Sequence, residues 1–169
     1  QFSGRFAGQA YFPETHPRPR RPLRAARQSD AEALAAIHRE GGFAVAWEKS
    51  EFEQLLADNA VIADVIGPSS GGKAGFGFIL SRKAADEAEI LTIAVRKRYR
   101  RAGFGKKLLQ HHLSRLAAMG IHALFLEVEE GNRPARILYE KRGFAEVGRR
   151  NAYYKKADGS AASAIVMRH

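Results

Sequence analysis

The chain has 169 residues, with 28 Lys and Arg against 18 Asp and Glu, a formal net charge of +10, 45% apolar residues and no cysteine. That balance excludes a disordered polyelectrolyte, a disulfide scaffold, Cys-ligated zinc and a Cys nucleophile. No run approaches the roughly 18–20 apolar residues of a membrane-spanning helix, and the N-terminus lacks a charged-then-apolar leader pattern, so the expected setting is cytoplasmic with no membrane partner. The length suits one domain with a real core. The charge points to an anionic partner, or is a by-product of an alanine- and arginine-rich composition.

Residues 1–27 hold six arginines against one glutamate. Residues 1–21, with Gly4, Gly8, Pro13, Pro17 and Pro19, read as a flexible basic extension, and 22–169 as the single domain. A short first strand is expected at 22–26. Ser29 with Glu32 reads as a capping box, after which Leu34, Ile37 and His38 share a helical face until Gly41 and Gly42. Residues 43–47, Phe-Ala-Val-Ala-Trp, are too apolar for a plain connector. They line a substrate groove, with Trp47 as a binding residue, or Trp47 plugs the core edge. Ser50 with Glu53 reads as a second capping box, ahead of the stripe Phe52, Leu55 and Leu56.

Three strands follow, at 61–66, 74–81 and 87–95, the first two joined by a turn at 68–73. A helix at 105–119 closes at Gly120. A strand at 123–129 precedes a helix capped by Asn132, with Pro134 in its first turn and its end at Gly143. Strands at 144–150 and 164–168 finish the chain. The order predicts a mixed α/β fold, with a mostly antiparallel central sheet, one β-α-β unit and flanking helices.

The junction inside that β-α-β unit carries the strongest chemical signal. An apolar strand ends at Ile93, Ala94 and Val95. A basic loop follows, with Arg100, Arg101, Ala102, Gly103, Phe104, Gly105 and Lys106. A helix then begins. Its N-terminus presents unpaired N–H groups and partial positive charge, Gly103 and Gly105 carry no Cβ, and the cations surround it. Such a loop holds a phosphate or pyrophosphate, or is merely a basic helix cap. The spacing Arg100-x-x-Gly103-x-Gly105 is neither a Walker loop nor a dinucleotide fingerprint.

Two residues suit proton chemistry. Glu127 interrupts the apolar run Leu124-Phe125-Leu126, where a carboxylate is costly unless paired, solvated or used. It is a candidate base, or a solvent-facing residue alternating with Phe125 and Glu129. Tyr139 lies among Ile137, Leu138 and Phe144, as a candidate acid or an ordinary core tyrosine. His111 and His112 are adjacent and cannot share a metal face, and His38 and His122 are isolated, so no metal site is expected.

These segments together resemble the GNAT acetyltransferases, over roughly residues 22–169 and most strongly from 87 on. The loop resembles that family's [RQ]-x-x-G-x-[GA] acetyl-CoA loop. Leu126-Glu127-Val128, Asn132, Leu138-Tyr139-Glu140 and Arg142-Gly143-Phe144 resemble its second half-site, and residues 149–167 resemble the carboxyl end of its RimI-type branch. That branch acetylates the N-terminus of a small-subunit ribosomal protein.

The resemblance implies Glu127 as general base and Tyr139 as general acid. It implies Asn132 as a coenzyme A contact, Ile93 and Val95 as backbone partners of the pantetheine arm, and Arg101 to Lys106 as the pyrophosphate cradle. Tyr153 and Tyr154 match an acceptor-peptide pair. Branch members often read Asn-Tyr-Tyr-Pro; here Ala152 precedes the tyrosines and Lys155 replaces proline. The implied reaction is direct acetyl transfer from acetyl-CoA to a protein α-amine. Two other readings stay open: transfer to a lysine or small-molecule amine, and a non-catalytic domain docking on RNA.

Overall fold

The computed structural model describes residues 23–43, 45–68 and 75–169. The proposed extension at 1–21 and most of the turn at 68–73 lie outside these. Among the described residues are seven strands and four α-helices: β1 (Leu23–Ala25), α1 (Ala31–Arg39), α2 (Lys49–Ala57), β2 (Val61–Ile66), β3 (Gly77–Ala84), β4 (Glu87–Val95), α3 (Phe104–Ala118), β5 (Ala123–Glu129), α4 (Arg133–Glu140), β6 (Ala145–Lys155) and β7 (Ala161–Arg168). They form one sheet in the order β1-β2-β3-β4-β5-β7-β6. Only β4 and β5 run parallel, joined through α3, as the expected mixed and mostly antiparallel fold requires.

Strand alternation sorts the core into two layers. Ile62, Ile66, Ile79, Ala88, Ile90, Leu124, Leu126 and Val128 pack with Phe104, Leu108 and Leu116 of α3 and Tyr139 of α4. Ala63, Val65, Phe78 and Leu80 face the other way, onto Leu34, Ile37 and Phe52 of α1 and α2. The β3–β4 register jumps from Leu80–Thr92 to Ser81–Ile90, so Leu91 is an extra residue in β4. A one-residue slip inverts the facing of everything beyond it. Ile90 accordingly points to α3, whereas past the bulge Ala94 packs with the α1–α2 layer and Ile93 and Val95 pack against the α3 layer.

Helix starts differ slightly from the sequence expectation. The Asp30 carboxylate accepts the Arg27 N–H at 2.7 Å, and a 3₁₀ turn over Gln28–Asp30 leads into α1. Glu51 accepts the Glu48 N–H at 2.7 Å, so the cap of α2 lies at Glu48, two residues before the one expected at Ser50. Carboxylates three residues from a backbone N–H compete for the same cap, and Glu48-x-x-Glu51 prevails.

A buried polar relay fastens α3 to the sheet. Ser81 Oγ lies 2.7 Å from His112 Nε2, and His112 Nδ1 meets Asp64, which also takes Arg115. Ser81, His112 and Asp64 are all buried. The trio has the connectivity of a nucleophilic triad but no solvent access at its serine, so it is a strut. Burial acts to raise the Asp64 pKa, but the His112 hydrogen bond, with Arg115, outweighs it and holds the carboxyl below its ordinary 3.8. A depressed folded pKa contributes stability above the unfolded value and loses it as pH falls through the folded one. Asp64→Asn should lower the unfolding free energy by about 3 kcal/mol at neutral pH, read by denaturant titration, with the gap to wild type closing as pH drops below the carboxylate range.

Candidate active site

The parallel β4–β5 ladder is short. Its partners run from Glu87–Ala123 to Ile90–Leu126 and stop. Past that point Leu91–Val95 and Glu127–Glu129 continue as strand, paired on the far side through Thr92–Val95 to β3 and through Glu127–Glu129 to β7. Their facing edges have no ladder partner, so the sheet has a seam open at one end. The Arg96 N–H donates to Phe76 O at 2.8 Å, toward β3. By alternation, Ile93 and Val95 turn their backbone groups toward the seam.

On the α1–α2 face of the sheet, a cleft of about 990 Å³ covers the seam's near end. Phe43, Val45, Trp47, Leu91, Glu127 and Tyr153 are among its lining residues. The structure thus gathers the apolar loop, Glu127 and Tyr153, which are far apart in sequence. The side chain of Tyr154 lies outside the described residues. Leu126 and Val128 are buried toward α3, so Glu127 between them faces the cleft. It is paired rather than bare: Arg150 Nη2 lies 3.1 Å from its Oε1. Arg150 also stacks over the Tyr153 ring at 5.4 Å. Sequence alone gave no signal for this pair, because β6 reaches β5 only through β7.

Tyr139 is on the opposite face, buried in the α3–α4 layer with Phe144 at 5.6 Å. Burial pushes its hydroxyl up to about 12. Glu127 and Tyr139 therefore flank β5 from its two sides. Asn132 caps α4, its side-chain oxygen accepting the Ala135 N–H at 3.3 Å, as its position implied.

The basic loop is organised by Glu40, at the end of α1. Its carboxylate takes Arg96 at 2.8 Å and the Lys97 N–H at 3.0 Å. Arg100, one of the cations read as surrounding the helix start, is instead bound to backbone: Nε donates to Val95 O at 3.1 Å and Nη2 to Glu40 O at 2.7 Å. Arg101, Lys106 and Lys107 remain exposed around the start of α3. Phe104 is buried and sits against Phe76 at 5.2 Å, which plants the helix start on the sheet. Gly103, the residue before α3, is left-handed at φ 80° and offers no capping side chain. The first amides of α3 are thus directed at whatever anion the loop receives.

Residues 9–144 match the acetyltransferase (GNAT) family, and the chain belongs to that family. It is 44% identical over 91 residues to the [ribosomal protein bS18]-alanine N-acetyltransferase of Haemophilus influenzae, covering 54% of this chain and 62% of that protein. The Escherichia coli K12 protein of the same name is 40% identical over 90 residues, covering 53% and 60%. The chain thus spans about three fifths of the length of these curated relatives. The crystal structure of the ribosomal-protein-S18-alanine N-acetyltransferase from E. coli aligns with TM-score 0.79 and 28% identity, over 87% of this chain and 91% of that one. Arabidopsis thaliana NAA60, solved in complex with acetyl-CoA, shares the fold at TM-score 0.73 and 20% identity, over 88% and 97%.

The two loop glycines should respond oppositely to alanine. A Cβ at Gly103 meets open space but must adopt φ +80°, whereas one at Gly105 meets only Leu138 at 3.6 Å. Gly103→Ala should cost about 1–2 kcal/mol of stability, and Gly105→Ala should be neutral or gain about 0.5–1 kcal/mol, as measured by denaturant unfolding. Tyr139 provides a separate test. A raised folded pKa keeps its stabilisation below the ordinary 10.0 and loses it as pH rises toward about 12. One of the five tyrosines should therefore ionise only with unfolding, in a titration of tyrosinate absorbance alongside circular dichroism.

Proposed function

We propose that this chain transfers the acetyl group of acetyl-CoA to the N-terminal α-amine of a protein, with a small-subunit ribosomal protein as acceptor in the cytoplasm. The observation that carries the reading is the open β4–β5 seam, with Glu127 on one face and Tyr139 on the other. The bS18-alanine N-acetyltransferase names of its relatives supply the acceptor class.

The donor side fits coenzyme A. An uncapped helix start ringed by Arg101, Lys106 and Lys107 suits a pyrophosphate. The seam edge of Ile93 and Val95 suits the amides of a pantetheine arm, and Asn132 stands at the start of α4 beside β5. Ala102, Gly103, Phe104 and Gly105 supply backbone, and Arg100 holds the loop in shape.

The acceptor enters from the α1–α2 face, between the loop of Phe43 and Trp47 and the strand of Tyr153 and Tyr154. Glu127 accepts the proton that the ammonium must lose. The amine nitrogen bonds to the thioester carbonyl carbon, seam-facing backbone N–H groups near Val95 stabilise the oxyanion, and as the C–S bond breaks the second proton on nitrogen passes by way of the Tyr139 hydroxyl to the departing sulfur, which leaves as the thiol. With a pKa of about 12, Tyr139 stays protonated. A thiol's reference value is about 8.5, so Tyr139 serves the departing sulfur as a hydrogen-bond donor rather than by surrendering its proton for good. An α-amine has a reference pKa of about 8 against about 10.4 for lysine, so deprotonating lysine at neutral pH costs roughly 3 kcal/mol more. A single carboxylate base favours the α-amine.

The test incubates the protein with acetyl-CoA and short peptides bearing a free N-terminal Ala, beside N-blocked peptides containing lysine, and measures thiol release. Release only with free N-termini is expected, and release only with lysine peptides would overturn the reading. No turnover with any amine, together with salt-sensitive RNA binding, would favour a docking domain. Glu127→Gln should lower kcat by about 10²-fold and Tyr139→Phe by about tenfold or more, with acetyl-CoA affinity nearly unchanged in both.

A further inference from the structure

His38, isolated in the sequence, is the hub of the cleft's aromatic wall. It is the penultimate residue of α1 and is 2% exposed. Its ring stacks on Phe43 at 4.1 Å with 6° between planes, and on Trp47 at 4.8 Å with 14°. Phe52 of α2 meets it edge-on at 5.7 Å, and Phe78 of β3 lies at 6.5 Å. The Trp47 backbone N–H donates to His38 Nδ1 at 3.1 Å. The cleft is lined by Phe43, Trp47 and Glu51, while His38 stands behind them.

We propose that neutral His38 is the positioning residue that sets the Phe43–Trp47 wall of the cleft, and that its protonation releases that wall. The geometry requires an unprotonated Nδ1, because a ring nitrogen accepts a hydrogen bond only without its proton. Burial favours that state and lowers the pKa from 6.5, while Glu51 of α2 acts the opposite way. Glu51 is the charged group that acts on the ring, and the stacking and edge contacts described around it are aromatic. On protonation Nδ1 becomes a donor facing a donor, and the hydrogen bond is lost. The kinetic consequence rests on the reading of this cleft as the acceptor site; the structural one does not.

Trp47 is the sole tryptophan, so its fluorescence reports the wall directly. Access of acrylamide to Trp47 should rise as wild type is taken from about pH 7 to about pH 5, with helical circular dichroism constant. His38→Asn keeps an acceptor near the Nδ1 position but does not titrate, so it should lack the acid step. His38→Phe keeps a ring but no acceptor, and should show raised access at neutral pH and no step. With a free-N-terminal Ala peptide, His38→Phe should raise KM about fivefold while acetyl-CoA affinity holds. A flat wild-type titration, a step surviving in His38→Asn, or a step coinciding with loss of helical signal would overturn the proposal. If the peptide is no substrate, the fluorescence titration still decides it, and only the acceptor reading fails.

Discussion

The early end of the β4–β5 ladder is the constraint on which the site depends. A parallel pair must be joined by a crossover, here α3, and the chain leaves β4 for it only after Val95, five residues beyond the last β5 partner at Ile90. Had the ladder continued past Ile90 and Leu126, the backbone groups of Ile93 and the N–H of Val95 would be spent on the sheet, and Glu127 would be sealed from Tyr139 by a closed layer. Among the described residues the seam is a break in the β4–β5 ladder with Glu127 on one face of the sheet and Tyr139 on the other. Buried backbone groups require partners, and strand edges left without a ladder are suited to a ligand that brings its own amides.

The bulge at Leu91 is the local device beside this opening. It reverses the facing of the last turn of β4, so that Ile93 and Val95 lean on the α3 layer while Leu91 is directed to the cleft. Ser81, paired opposite Ile90 at the bulge, is also the serine of the relay through His112 to Asp64. The irregular point of the sheet is thereby tied to the helix whose N-terminus forms the anion loop. Glu40 plays the matching part outside the core, neutralising Arg96 and fixing the Lys97 amide, so the like charges at 96–101 tolerate one another.

Periodicity and glycine placement made the element order legible, since each strand and helix carries its own repeat. The basic loop ahead of α3 was legible because Gly103, Gly105 and their basic neighbours are contiguous. What escaped were long-range partners. Arg100 looked like a free cation until Glu40, 60 residues earlier, supplied its acceptor. His38 looked isolated because its partners converge from a loop, α2 and β3. Glu127 could be placed on its strand but not beside Arg150, whose position follows from β7 lying between β5 and β6. Ala152 was visible as an extra residue, but its consequence is conformational. It takes φ +52°, and the β6–β7 register shifts between Arg150 and Tyr154.

That shift bears on how the cleft is finished. Two residues beyond the ladder's count are accommodated between Arg150 and Tyr154, which swings this end of β6 so that Tyr153 lines the cleft. The charge there runs against that of the chain. At +10 overall, the protein nonetheless turns Glu51, Asp58, Glu89 and Glu127 into this cleft, against Arg82, 3.8 Å from Asp58, and Arg150, paired with Glu127 at 3.1 Å. Carboxylates in a concave surface focus a negative potential. In the proposed reaction the amine arrives protonated, so such a field would gather it for Glu127, while the basic loop at the start of α3 would gather an anionic donor. On that proposal the two charge patterns meet at the seam, one suited to each substrate.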